Sequence, residues 1–278
     1  MRYTNSMRLR YAICLVGAAC LCLAVVVAKH KKASPGYTDT PMLPGQRWHV
    51  HDSNRPHPNA VTPGKVLGDA PSDATVLFDG HDLSGWMQMD QGKPVNARWK
   101  VVDGYFECVP GTGELLTRAK FGDVQLHIEW SEPTTVKGTS QERGNSGVLL
   151  MDRYEVQVLD SYHDVTYADG QAGALYGQWP PLVNPMRPEG EWQAYDIVFE
   201  APKFDGERLV RPAYATVFFN GVLVHHRKEI LGTMTHRQVA QYTAHGEEES
   251  LALQDHGNPV RYRNVWVRRL AGYDQAER

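Results

Sequence analysis

The sequence predicts an all-β chain folded as an antiparallel sandwich or jelly roll. Three observations carry that reading. Apolar and polar residues alternate over short runs, most clearly in VQLHIEW at residues 124–130, as a strand with one buried face requires. Asn220-Gly221 stands between two β-like runs and accepts the positive φ values of a type I′ hairpin turn. Beyond the N-terminal apolar segment, no stretch shows a long 3.6-residue apolar period. The polar side of some strands is expected to form a concave face.

In chain order, Arg2, Arg8 and Arg10 precede an apolar run over residues 12–28, AICLVGAACLCLAVVVA. Its length suits a signal peptide and is slightly short for a membrane span. Val26-Val27-Ala28 offers small residues for cleavage, and Cys20 after Gly17-Ala18-Ala19 resembles a lipidation site, though leucine normally stands where Gly17 does. Lys29, Lys31 and Lys32 follow at once, which leaves a retained anchor open. Either route puts the body of the protein outside the cytoplasm, periplasmic or secreted. Membrane contact is expected only through this segment, and nothing in the pattern specifies an oligomer.

Residues 29–73 read as a Pro-rich linker, with Pro35, Pro41, Pro44, Pro56, Pro58, Pro63 and Pro71 and no periodic apolar pattern. Within it, HVHDSNRPHP at 49–58 is too rich in His, Asn and Arg for a featureless spacer. From residue 74 to 272 the composition never shifts, which predicts one domain followed by a short tail at 273–278. Strands are expected in SGVLLM (146–151), YEVQVLD (154–160), WQAYDIVFE (192–200), ATVFFNGVLVHH (215–226), SLALQ (250–254) and YRNVWVRRL (262–270). Cys14, Cys20 and Cys22 lie in the leader, so Cys108 alone remains for the body, and neither a disulfide framework nor a cysteine metal site can form.

The 278 residues carry a net charge of -3 and no basic stripe, which argues against a nucleic-acid partner. Hydrophobic residues at 42% and charged residues at 22% are ordinary for a globular protein. The 7 Trp and 13 Tyr suit a sugar-binding surface and a β-rich core equally.

Candidate chemistry starts in YEVQVLDS. Alternation puts Glu155 and Gln157 on one face and the valines on the other. Asp160 would then enter the core, which an ionised carboxylate resists. A β-bulge near Leu159 would return Asp160 to the face of Glu155; otherwise it caps the turn into Ser161-Tyr162-His163. The acid–amide–acid triplet resembles the acid–acid–acid strand of laminarinase-like retaining glycosidases. Gln157 replaces the middle acid and weakens a two-carboxylate mechanism.

In LALQDHG, Gln254 and His256 stand at a strand end, placed to bind a hydroxyl and move a proton. The following Asp255, Gly257, Asn258 and Pro259 equally make a turn. In RGNSG, Arg143 and Asn145 suit a carbonyl or hydroxyls, with Gly144 and Gly147 allowing close backbone approach, or the segment is simply a tight connection. Tyr176 and Trp179 are either platforms for a sugar ring or plugs at the sandwich edge. His225-His226 and Glu247–Glu249 read as solvated surface.

Taken together, LFDGHDLSGW (77–86), DGYFECVPGTGELLTRAKFGDVQLHIEW (103–130), RGNSGVLLMDRYEVQVLDS (143–161), GALYGQWPP (173–181), PEGEWQAYDIVFEAP (188–202), FFNGVLV (218–224) and SLALQDHGNPVRYRNVWVRRL (250–270) resemble the successive blocks of the 3-keto-disaccharide hydrolase domain family, also called 3-keto-glucoside lyase/hydratase. The resemblance implies a concanavalin A-like sandwich in an exported protein acting on glycosides oxidised at C3. On such a substrate one base removes the acidified C2 hydrogen, the enolate is stabilised, the aglycone leaves C1, and water adds to the resulting glycal. Under that resemblance Glu155 is the base, or else a metal ligand that orients the substrate. His256 assists the leaving group or the water, and Arg143, Asn145, Gln157 and Gln254 hold carbonyl and hydroxyls. The sequence names no definite cofactor. A divalent cation could replace the arginine as enolate stabiliser, although no sequence cluster demands one.

Overall fold

The computed structural model describes residues 36–135 and 137–274. The predicted leader and the end of the tail lie outside the described residues. The chain divides into two compact units, residues 1–55 and 56–278. In the first, the described residues 36–55 form turns joined by isolated bridges, Tyr37 to Asp52 and Met42 to His49. The Asp52 carboxylate accepts the backbone N–H groups of His49 and Asn54 at 3.1 and 2.8 Å, so HVHDSNRPHP begins with a side-chain-stabilised turn.

The second unit holds the strands. In chain order they are β1 (Thr75–Phe78), β2 (Trp86–Asp90), β3 (Lys93–Asn96), β4 (Lys100–Val102), β5 (Tyr105–Glu107), β6 (Leu115–Phe121), β7 (Val124–Ser131), β8 (Ser146–Leu150), β9 (Tyr154–Val158), β10 (Gln193–Glu200), β11 (Lys203–Asp205), β12 (Arg208–Arg211), β13 (Tyr214–Phe219), β14 (Val222–Glu229), β15 (Glu249–Leu253) and β16 (Arg261–Arg269). An eight-stranded sheet runs β14-β13-β10-β7-β16-β5-β4, with β1 also on β16. A six-stranded sheet runs β3-β2-β6-β15-β8-β9, and β11–β12 is a separate hairpin. Their inner faces share one core, which makes a β-sandwich.

Side-chain alternation builds that core. Tyr195, Ile197 and Phe199 of β10 and Leu126, Ile128 and Trp130 of β7 are fully buried, while Ala194, Asp196 and Val198 of β10 and Gln125 and Glu129 of β7 are only half-buried. Each such side chain contributes about 1.5–3 kcal/mol on leaving water. Trp130, Tyr195 and Phe219 pack with ring centroids 4.9 to 5.9 Å apart. The β13–β14 turn is the expected Asn-Gly hairpin, with φ of 51° at Asn220 and 78° at Gly221.

Two tyrosines of the eight-stranded sheet reach across to the six-stranded one. The Tyr195 hydroxyl donates to the Gln157 carbonyl at 2.7 Å. The Tyr262 hydroxyl donates to Ser146 Oγ at 2.7 Å, and that hydroxyl donates to the Gln254 carbonyl at 2.6 Å. These pillars fix the ends of β8, β9 and β15, where the candidate residues lie.

Two histidines are not where the alternation placed them. His225, expected on a solvated surface, is buried with Nε2 2.9 Å from the Gly173 carbonyl. His127, on the outward face of β7, is covered: its ring stacks on Trp266 at 5.3 Å and Gly68 closes over it.

His127 Nδ1 lies 2.7 Å from Asp196. Burial alone would lower its pKa, but the Asp196 and Glu129 carboxylates reverse that and hold it at about 9. Glu132, just past β7, is fully buried with neither carboxyl oxygen hydrogen-bonded; burial pushes it up to about 9, and Asp160 and Glu189 add to this. Both groups thus keep a proton in the fold that the unfolded chain gives up near its ordinary 6.5 or 4.5. Their stabilisation is complete below those unfolded values and is lost as pH rises towards the folded ones. The melting temperature should therefore fall steadily from about pH 5 to about pH 9, and Glu132→Gln should flatten the decline and raise the melting temperature at pH 8. A wild-type melting temperature constant over that range would contradict this assignment.

Candidate functional site

β9 turns Tyr154, Val156 and Val158 into the core, which leaves Glu155 and Gln157 on the outer face of the six-stranded sheet. Strand register places Leu116 of β6, Ala252 of β15, Leu149 of β8 and Glu155 of β9 in one row across that face. Gly147 lies opposite Gln157, and the Gln254 N–H donates to the Gly147 carbonyl at 3.0 Å.

Outward does not mean exposed. Segment 172–176 runs along the free edge of β9: Gln157 N–H donates to Ala174 O at 2.9 Å, and Tyr176 N–H to Glu155 O at 3.2 Å. The loop after β14 crosses above, held by the Met234 N–H on Arg153 O at 2.9 Å. Glu155 is left 4% exposed and Gln157 1%.

Between these segments lies a cavity of about 110 Å³, lined by Gln141, Asn145, Glu155, Gln157, Tyr176, Met234, His236, Gln254 and His256. Glu155, Gln157, Asn145, Tyr176, Gln254 and His256, all candidates from the sequence, are thus brought together. His256 reaches the rim from a turn and not from a prolonged strand: β15 ends at Leu253, and the Asp255 carboxylate accepts the Gly257 N–H at 3.0 Å.

Among the described residues the Glu155 carboxyl has neither an ion-pair partner nor a hydrogen bond. Burial pushes its pKa up to about 8, and the nearby Glu114 carboxylate adds to this. Room for the side chain comes from Gly147, since a Cβ there would stand 2.3 Å from Glu155 Oε1. Gly144 does the same for Glu132, with a Cβ position 2.6 Å from its Cγ. The RGNSG glycines therefore accommodate glutamates, where the sequence suggested room for a ligand.

Amides make up much of the wall. Gln157 Nε2 donates to Gln141 Oε1 at 3.1 Å, and Gln141 Nε2 donates to Thr166 Oγ1 and Gly170 O at 2.9 and 2.8 Å. Asn145 Nδ2 donates to Gln141 O at 2.7 Å, while its Oδ1 is buried without a partner. The Gln254 side-chain amide makes no hydrogen bond among the described residues.

Arg143, Asp160 and Trp179 lie off this cavity. No bulge interrupts β9, which pairs with β8 in regular register and ends at Val158. Asp160 is fully buried, paired with the Arg143 guanidinium, and accepts the Tyr162 N–H at 3.1 Å. It caps the turn, and Arg143 is occupied in clasping it. Trp179 packs at the sandwich edge, its indole N–H donating to Glu229 O at 2.9 Å and Lys228 Nζ lying 3.3 Å from its ring centroid. Gln141, Met234 and His236 are lining residues that the sequence did not reveal, because they arrive on loops without periodicity. Among the described residues, no group of three or more His, Cys, Asp or Glu side chains could hold a metal ion.

The profile of the 3-keto-alpha-glucoside-1,2-lyase-like domain matches residues 73–268. The chain belongs to that family. A 3-keto-disaccharide hydrolase of Bacteroides thetaiotaomicron is 24% identical over 229 residues, which span 70% of this chain and 78% of the relative. A crystal structure of a candidate glycosyl hydrolase from Parabacteroides distasonis is 43% identical, with a TM-score of 0.74 over 82% of this chain and 100% of that one. A second such structure from the same organism, 18% identical with a TM-score of 0.50, covers 72% of this chain and 94% of its own and shares the fold.

Gly147→Ala tests the packing of the site. The added methyl must displace the Glu155 carboxyl, and misplacing a reacting group by ~1 Å costs on the order of 100-fold in rate. Turnover should fall at least about tenfold with the circular dichroism spectrum unchanged. Full activity in this variant would show that the position of Glu155 does not matter.

Proposed function

We propose that this domain is an exported carbohydrate-active enzyme that cleaves the glycosidic bond of 3-keto-glycosides by elimination across C1 and C2, followed by hydration. One observation carries the reading: among the described residues Glu155 is the sole acid on the cavity wall, with no cation paired to it and amides around it. Double-displacement hydrolysis needs two carboxyls about 5 Å apart on one substrate. Elimination from a 3-keto sugar needs one base and neutral support for an enolate. The family's description and the name of the 24% identical relative support a 3-keto substrate, and the description of the 43% identical neighbour supports glycosidic-bond cleavage in general.

In this mechanism Glu155 removes the C2 proton. With Arg143 occupied by Asp160, the C3 oxygen is supported by amide N–H groups, Gln254 with its uncommitted side chain first among them. Asn145 Oδ1 gains in a sugar hydroxyl the partner it lacks. His256, at the exposed rim, serves the water that adds to C1.

The decisive comparison sets a glucoside against its 3-keto form, following aglycone release. Release from the keto form alone is the expected result; cleavage of the parent glucoside at a similar rate would indicate an ordinary glycosidase. Glu155→Gln should lower kcat on the keto substrate by at least about 100-fold without loss of fold. Near-normal turnover would remove Glu155 from the mechanism. The base must be ionised and is held at about 8 in the free protein. It follows that kcat/KM should rise with pH and level off above about 8. A profile that falls as pH rises through 8 would instead assign Glu155 as an acid.

A further inference from the structure

The small cavity shares a wall with a larger one of about 490 Å³. Tyr176 and His236 line both. On the far side lie Tyr167, Asp169, Arg237 and the 83% exposed Val239. At the boundary the Tyr176 hydroxyl is 2.7 Å from the Tyr167 hydroxyl and 2.9 Å from His236 Nδ1. This chain of polar atoms runs from the wall beside Glu155 to an exposed imidazole, and the mechanism above leaves it unused.

The small cavity, at about 110 Å³, is too small to enclose two sugar rings, so a substrate whose C2–H faces Glu155 is best placed with its C1–O bond directed outward. We propose that Tyr176 protonates the departing glycosidic oxygen, and that the cavity beyond it receives the ring-bearing alcohol that leaves. The inference rests on the 3-keto reading and adds an acid and a leaving-group site to it.

The step balances without an oxidant or reductant. Glu155 takes the C2 hydrogen as a proton, and that bond's electrons form the C2=C3 enolate. As the enolate collapses, C3=O is restored, C1=C2 forms and the C1–O pair goes to the glycosidic oxygen. That oxygen takes the Tyr176 proton, and His236 returns a proton to the phenolate from solvent. Burial and the Tyr167 hydroxyl hold the Tyr176 phenol above its ordinary range, so it enters the step protonated. Tyr167 and Val239 offer a leaving ring apolar surface, and Asp169 and Arg237 offer polar edges.

Leaving-group acidity supplies the test, because a good leaving group needs no acid. The full-length protein would be assayed on three 3-keto-glucosides, those of 4-nitrophenol, benzyl alcohol and methanol. Tyr176→Phe should lose on the order of 100-fold in kcat on the benzyl substrate and remain within about threefold of wild type on the nitrophenyl one. Equal losses on both would show that Tyr176 only shapes the site, and would overturn its role as the acid. Val239→Arg, a change at an exposed position, should fill the outer cavity and reduce the kcat/KM preference for benzyl over methyl by about tenfold. An unchanged preference would overturn the leaving-group site. Failure of the wild type to cleave any of the three would overturn the 3-keto reading itself, and this inference with it.

Discussion

A carboxyl group removed from water with no cation beside it is the constraint on which the rest of this site depends. Burying such a group ionised is costly, so the protein holds Glu155 neutral and correspondingly basic. That requires that no cation pair with it, while a nearby acid, Glu114, pushes the same way. Gly147 contributes no side chain, Gln157 beside it on the same face carries no charge, and Arg143, which lies off the cavity, is bound to Asp160.

The sandwich supplies the rigidity this arrangement needs. Strand alternation alone would leave Glu155 on a wet face. The 172–176 segment hydrogen-bonded along β9 and the loop crossing above it turn that face into a wall. The hydroxyls of Tyr195 and Tyr262 tie the same strands from below, across the core, to the eight-stranded sheet. A β9 held by neighbouring strands, an edge segment and buried pillars has little freedom to move Glu155 away from a substrate. Rigid elements, with loops contributing only the outer groups, are how a site keeps its reacting atoms in position.

Much of this was legible in the sequence for a definite physical reason. Period-2 alternation reports which face a residue occupies, so β7, β8, β9, β10 and the Asn220-Gly221 hairpin could be read directly, as could the shared face of Glu155 and Gln157. It does not report what covers a face. His127 and His225 looked solvated because Gly68 and the Gly173 segment, which bury them, are distant in sequence. Asp160 could be a bulged site residue or a cap until its partner was known, since a strand's end depends on long-range pairing. Gln141 and His236 arrive on loops whose composition carries no periodic signal. Neutral Glu132 was invisible for the same reason, being an acid next to a strand end that a fold-level contact encloses.

The separation of roles within the site follows from the same geometry. An isolated base suits proton abstraction from a carbon already acidified by a neighbouring ketone, and it poorly suits chemistry that needs two matched acids. The central claim is therefore that the C2–H bond breaks during catalysis, and deuterium at C2 of a 3-keto-glucoside reports on that bond alone. The account predicts a primary kinetic isotope effect on aglycone release, with the label lost to solvent. Aglycone release at the unlabelled rate, with deuterium retained at C2 of the sugar product, would contradict it.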